Sequence, residues 1–124
     1  MEIEILKLAL EAVLAKKAMD PVFLDMTKLT PIVDYFLVCG AQTPIQIKAI
    51  ADNLREEMER AGMVPPRKEG TPDTRWLLLD YGWLVAHIML QPERDFYQLE
   101  RLWHDAERLR LLPPEKGDSG LTRA

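Results

Sequence analysis

Residues 75–90 read RWLLLDYGWLVAHIML, two apolar runs joined by a short link that contains Gly82. Side chains that alternate along each run are typical of β-strands, and the glycine favours a hairpin turn between them. We predict a two-residue loop formed by Tyr81 and Gly82; the alternative is a glycine bulge, which would shift the cross-strand pairing by one residue. The cross-strand pairs that follow from this loop are Asp80 with Trp83, Leu78 with Val85 and Trp76 with His87.

The two faces of this hairpin differ in chemistry. One face is purely aliphatic, and we expect helices to cover it. It consists of Leu77, Leu79, Leu84, Ala86 and Ile88. The opposite face consists of Trp76, Leu78, Asp80, Trp83, Val85, His87 and Met89. A fully buried sheet face rarely contains a lone Asp and a His, so this second face is predicted to be partly open or covered by another molecule.

Helices and further strands are predicted around the hairpin. Apolar spacing predicts a first helix over 3–18, and Thr43 as N-cap with Pro44 behind it predicts a second helix to about residue 61, with Ile45 on its solvent side. A third helix is predicted from Pro92. Its inward stripe is Phe96, Leu99, Leu102, Trp103, Ala106 and Leu109. Strands are predicted at 22–26 and 35–40, and 63–67 is compatible with a short edge strand.

These elements predict one α/β domain of the α+β type. A small mixed β-sheet of four to five strands, flanked by about three helices, fits a chain of 124 residues. The domain is predicted to span residues 1–112. Residues 113–124 are rich in Gly and charge and lack aromatics, so they are predicted to form a flexible C-terminal tail.

Charge and cysteine content limit the possible functions. A net charge of −4 argues against nonspecific binding to RNA or DNA, because phosphate contacts need clustered Lys and Arg; no direct nucleic-acid binding is expected. Cys39 is the sole cysteine, which excludes an intramolecular disulfide and a zinc cluster made of cysteines. An acidic N-terminal segment and the lack of a long apolar stretch favour a cytoplasmic protein that does not contact the membrane.

Residue patterns that carry catalysis are missing from the sequence. The two histidines, His87 and His104, do not stand beside a nucleophile motif, and no Gly-rich phosphate loop occurs. Nor is a metal-ligand spacing present. We therefore predict a binding module with no catalytic residue, cofactor or metal. The rival hypotheses are a nucleotidyltransferase-like enzyme and a structural homodimer that uses the Trp-rich face for itself.

Individual side chains of the second face have more than one possible role. Trp76 is a candidate anchor for a partner, because large aromatics dominate binding energy at interfaces, and packing under a helix is its alternative. Asp80 either contributes to the same surface or shapes the turn through its side-chain acceptor. For His87 both a structural role and a recognition role are open. Tyr97 points away from the predicted inward stripe and is a surface candidate.

Several separated blocks, in this order and spacing, resemble the ribosomal silencing factor (RsfS, Iojap) family over roughly residues 1–107. The blocks are Asp34-Tyr35-Phe36, Ile50-Ala51-Asp52-Asn53, Glu69-Gly70, Trp76, Leu79-Asp80-Tyr81-Gly82, Val85, His87-Ile88 and the run from Phe96 to Trp103. The resemblance implies a nucleotidyltransferase-like topology without nucleotidyltransferase activity.

The resemblance also implies a partner. Members of the family bind ribosomal protein number fourteen (uL14) of the large ribosomal subunit, block association with the small subunit and repress translation when nutrients are scarce. A homodimer off the ribosome is a further expectation. The partner-binding residues predicted from the hairpin and the resemblance are Trp76, Leu78, Asp80, Tyr81, Trp83, His87, Tyr97, Leu99 and Leu102.

The chain departs from the family pattern at two places. Gly82-Trp83 stands where members commonly have Gly-Asp, so an aromatic contact is expected there instead of an acidic one. At the start of the second helix, the Arg that members place near Ile45 is missing. A salt bridge or nucleic-acid contact that depends on that Arg is therefore not expected.

Overall fold

The computed structural model describes residues 2–70, 73–111 and 121–123, with Leu102 and residues 110, 111 and 121–123 described by their backbone alone. In chain order the elements are α1 (Glu2–Leu14), β1 (Met19–Asp25), β2 (Tyr35–Ala41), α2 (Pro44–Arg60), β3 (Arg67–Glu69), β4 (Trp76–Asp80), β5 (Leu84–Leu90), α3 (Gln91–Tyr97), α4 (Leu99–Leu102), β6 (Glu107–Leu111) and β7 (Leu121–Arg123).

The strands form one mixed sheet in the order β3-β4-β5-β2-β1-β6-β7. Only the β2–β5 pair is parallel among these neighbours. The predicted α/β class is confirmed, although the seven described strands exceed the predicted four to five. Of the predicted tail, residues 113–120 and 124 lie outside the described residues, whereas 121–123 pair with β6 as β7. The domain boundary at residue 112 remains a prediction.

The second helix begins and ends where its sequence signals predict. The Oγ1 of Thr43 accepts a hydrogen bond from the backbone N–H of Gln46 at 3.1 Å, and Pro44 occupies the first turn. Gly62 follows the helix with a φ of +87°, a conformation that costs little only for glycine. The buried face of α2 is Ile47, Ile50, Ala51, Leu54 and Met58. Ile45, as predicted, is exposed.

One face of the sheet is closed by α1 and α2. The aliphatic side chains that the hairpin was predicted to direct towards helices lie in this main core, together with Phe23 and Leu37 of the neighbouring strands. Burying a side chain of this size stabilises the fold by roughly 1.5–3 kcal/mol. Because these core side chains are buried under the two helices, they are not available to a partner.

The hairpin register differs from the prediction. Asp80 pairs with Val85, Leu78 with His87 and Trp76 with Met89. The predicted partners, which were Trp83, Val85 and His87 in the same order, are therefore all wrong. The connection is longer than predicted. Within it the Asp80 carboxylate accepts a hydrogen bond from the backbone N–H of Gly82 at 2.7 Å, and the backbone N–H of Tyr81 donates to the carbonyl of Leu84 at 2.8 Å. A shift of two residues keeps every paired side chain on its predicted face.

The predicted third helix is wrong beyond its first two turns. The chain leaves α3 at Gln98, a left-handed residue with φ +48° and ψ +59°, makes the single turn α4, and then enters β6. Phe96, predicted to point inwards, is 79% exposed. Glutamine is a good helix former, so the residue at position 98 does not itself indicate that the helix ends there. Tertiary contacts of the neighbouring Arg94 account for it.

Arg94 is one of the residues that fix α3 to the sheet. Its guanidinium donates to the carbonyl oxygens of Met19 and Asp20, each at 2.7 Å, and to the Glu100 carboxylate at 2.7 and 2.9 Å. These bonds join α3, α4 and the irregular start of β1, where the pairing with β2 shifts register. Because Glu100 must reach back to Arg94, the chain turns at Gln98 instead of continuing the helix.

Candidate protein-interaction face

The sheet face opposite α1 and α2 is only partly covered. Here α3 and α4 cover its centre, where Leu99 is buried against Val38 and Met89. Towards the β3 edge the cover ends, and on β4 the alternate side chains Trp76, Leu78 and Asp80 stay half-buried. The predicted partly open second face is therefore confirmed, with the opening on the β3–β4 side.

Aromatic side chains cluster at the boundary between α3 and this opening. The Trp76 and Tyr97 rings have centroids 5.0 Å apart, and Phe96 meets Tyr97 edge to face at the same distance. Tyr97 is 50% exposed, and Leu78 follows Trp76 on the same strand face. We call Trp76, Leu78, Phe96 and Tyr97 the aromatic patch. Single exposed apolar side chains are ordinary, whereas a contiguous group with several rings is a candidate interaction site.

His87 supports the patch from below. Its Nδ1 accepts a hydrogen bond from the Trp76 indole N–H at 3.1 Å, and the Phe36 ring packs against it with centroids 4.8 Å apart. The imidazole is buried, so it orients Trp76 and is not itself available to a partner. Burial lowers the pKa of His87 to about 4. The side chain is therefore neutral at physiological pH, which an acceptor Nδ1 requires.

This buried neutral imidazole predicts a pH-dependent stability. The unfolded chain takes up a proton at His87 near pH 6.5, whereas the folded chain does so only near pH 4. Stability from this residue is therefore complete above pH 6.5 and is lost as the pH falls towards 4, by roughly 2–3 kcal/mol. Denaturant unfolding across this range should show the loss in the wild type and not in His87→Gln. The exposed His104→Gln should behave as the wild type, and a loss that persists in His87→Gln would reject this assignment.

Other predicted site residues take different positions. Tyr81 and Trp83 pack against the main core on the helix-covered side of the sheet, and Trp83 meets Tyr35 edge to face. Because Trp83 lies in the turn and not in a paired strand position, its predicted place on the second face is wrong. Asp80 shapes the turn through Gly82, as one of its two predicted roles requires. Leu99 is buried, and the side chain of Leu102 lies outside the described residues.

Phe96 is absent from the partner-binding residues that the sequence predicts. Phe96 fits a helical stripe with Leu99 and Trp103, and only the turn at Gln98 removes it from that stripe. No local signal in the sequence indicates this turn. The structure thus brings together Trp76, Leu78 and Tyr97 as predicted and adds Phe96.

The chain is similar to known proteins over most of its length. Residues 2–122 match the family model described as "Ribosomal silencing factor during starvation". The chain belongs to the ribosomal silencing factor family. A ribosomal silencing factor RsfS of Halalkalibacterium halodurans is 40% identical over 108 residues, which are 87% of this chain and 92% of the relative. The corresponding RsfS of Bacillus subtilis is 38% identical over 102 residues, covering 82% and 86%.

A solved relative has the same fold. The crystal structure of a Chromobacterium violaceum protein superposes with a TM-score of 0.79 at 38% identity and covers 84% of this chain and 88% of its own. Because the chain belongs to this family, it takes part in the regulation of translation.

Among the described residues, no group of three or more His, Cys, Asp or Glu side chains could hold a metal ion. In the same part of the chain, none of the helices combines the length and the apolar character that crossing a bilayer requires.

Proposed function

We propose that this ribosomal silencing factor binds the large ribosomal subunit through uL14, using the aromatic patch, and thereby blocks association with the small subunit in the cytoplasm. The observation that carries the proposal is the patch itself, in which Phe96 is 79% exposed beside a half-buried tryptophan. A protein surface that covers these side chains would remove them from water. Buried aromatic anchors of this kind supply most of the energy of an interface.

Charge supports the same type of partner. The chain has a net charge of −4, and half-buried Asp80 lies on the strand face that bears Trp76 and Leu78. Ribosomal proteins are usually basic, so opposite charges increase the rate of encounter. Repression then needs no chemical step. A bound domain of 14.3 kDa excludes the small subunit by its volume.

A regulatory role without catalysis fits the reactive side chains that the structure describes. The Cys39 thiol is buried, and desolvation raises its pKa to about 12, so it does not form the nucleophilic thiolate. His87 is buried and accepts from Trp76. Neither group is placed for nucleophilic or acid–base catalysis.

Binding to isolated uL14 tests the proposal. We expect the purified chain to retain uL14 and intact large subunits in a pull-down, and to leave small subunits in the flow-through. Phe96→Ala should reduce both interactions, because it removes an exposed ring without opening the core. If the chain retains large subunits but not isolated uL14, the proposed contact protein is wrong. If it retains neither, the proposed function fails.

A further inference from the structure

A positively charged cleft lies on the same face of the sheet, whereas the chain as a whole is negatively charged. On the side of α3 and α4 away from β4, a cleft of about 230 Å³ opens to solvent. It is lined by Arg94, Asp95, Gln98, Glu100, Arg101 and Arg108. We call it the arginine cleft. The aromatic patch does not include any of its residues.

The cleft carries three arginines against two carboxylates, so its lining has a net charge of +1. Glu100 is paired with Arg94, and Asp95 accepts from the side-chain amide of Gln91 at 2.9 Å. Arg101 reaches only the neutral Gln98 side chain, at 3.3 Å, and Arg108 forms no ion pair with any residue that the structure describes. The cleft therefore presents two exposed guanidinium groups without a carboxylate partner among the described residues, next to a buried pair that holds its wall in place.

The register of the sheet places this cleft on the face of the aromatic patch. Arg108 of β6 lies opposite Leu24 of β1, so their side chains share a face. Leu24 packs with Phe36 and Trp103, and Phe36 contacts His87 below Trp76. The short helices thus form a ridge with aromatic rings on one flank and arginines on the other. A body that covers the aromatic patch is brought close to the arginine cleft.

We propose that the arginine cleft binds a phosphate group of large-subunit RNA beside the protein contact. This inference rests on the proposed function, because it requires docking on the large subunit. Guanidinium groups match phosphate oxygens with paired, charge-assisted hydrogen bonds. Because the chain has a net charge of −4, we expect it not to bind free RNA on its own. Once the aromatic patch is docked, however, the neighbouring RNA is present at a high effective concentration. One or two phosphate contacts then add to the affinity. The expectation of no direct nucleic-acid binding stays a prediction for the free chain, whereas the docked chain is proposed to contact one or two phosphates.

The test compares two double variants that remove the same charge. Arg101→Ala with Arg108→Ala removes the free guanidinium groups and leaves Arg94 in place. Lys16→Ala with Arg60→Ala removes two exposed cations from the helix-covered side and serves as the control. Affinity for purified large subunits is measured at several salt concentrations, and affinity for isolated uL14 is measured in parallel.

We expect the arginine variant to bind large subunits about tenfold more weakly at low salt, with the log–log salt slope reduced by about 1 per arginine removed. Its affinity for isolated uL14 should equal that of the wild type, and the control should retain the wild-type salt slope. An unchanged slope overturns the RNA contact while the proposed function stands. An equal loss on isolated uL14 overturns it as well, because the arginines then contact protein. A wild type that binds neither target rejects both proposals.

Discussion

Arg94→Ala is expected to lower the free energy of unfolding by about 3–5 kcal/mol. The variant removes donors from the carbonyls of Met19 and Asp20 and leaves the Glu100 carboxylate without its partner. In the wild-type pair the Arg94 side chain is 7% exposed and the Glu100 side chain 17%, so water replaces these contacts poorly. Urea unfolding followed by tryptophan fluorescence measures the loss.

The matched control for this variant is Arg101→Ala in the same segment. Arg101 is exposed and reaches only Gln98, so its removal should change stability by about 0.5 kcal/mol or less. If the two variants unfold at the same urea concentration, Arg94 does not fix α3 to the sheet. The turn at Gln98 would then need another explanation.

Trp76→Ala is expected to weaken binding to large subunits by about 30-fold or more, which corresponds to about 2 kcal/mol. Trp76 contacts Tyr97 and donates to His87, so its loss removes the centre of the aromatic patch. Ile45→Ala is the control, because Ile45 is 83% exposed on the solvent side of α2, in the helix layer on the opposite side of the sheet. Its affinity should match that of the wild type.

A change in folding must be separated from the loss of the anchor. Phe96→Ala provides the second variant, since Phe96 is nearly as exposed as Ile45 and touches Tyr97 at the surface. Both Trp76→Ala and Phe96→Ala should weaken binding measured by titration against labelled subunits. The interface lies elsewhere if two results are obtained together. The Phe96 and Ile45 variants would bind with equal affinity, and a normally folded Trp76→Ala would bind as tightly as the wild type.

The sequence predicts the hairpin faces because side-chain alternation is a local property. Leu77, Leu79 and Ala86 are buried under helices as expected, and a register shift of two residues does not alter that. The loop length was mispredicted because the Asp80 side chain, and not the backbone alone, sets the turn. Shaping the turn is one of the two roles predicted for Asp80, but the sequence does not decide how many residues the turn contains.

The segment after residue 97 was mispredicted for a different reason. Ala106 and Leu109 fit a helical stripe, yet Leu109 also fits the alternation of a strand, and short apolar patterns allow both readings. The pairing of β6 with β1 and the bonds of Arg94 to Met19 and Asp20 connect residues far apart in sequence. Such contacts override local propensity, and no pattern in a single sequence indicates them. The exposure of Phe96 and the arginine cleft both depend on this turn.

The measurement that tests the central claim most directly is subunit association in the presence of the chain. Purified large and small subunits are mixed under conditions that favour joining, after preincubation of the large subunits with wild-type protein, and the products are separated on a sucrose gradient. The account predicts that the subunits sediment separately with wild type and join with Trp76→Ala at the same concentration. Subunits that join fully in the presence of saturating, folded wild-type protein would contradict it.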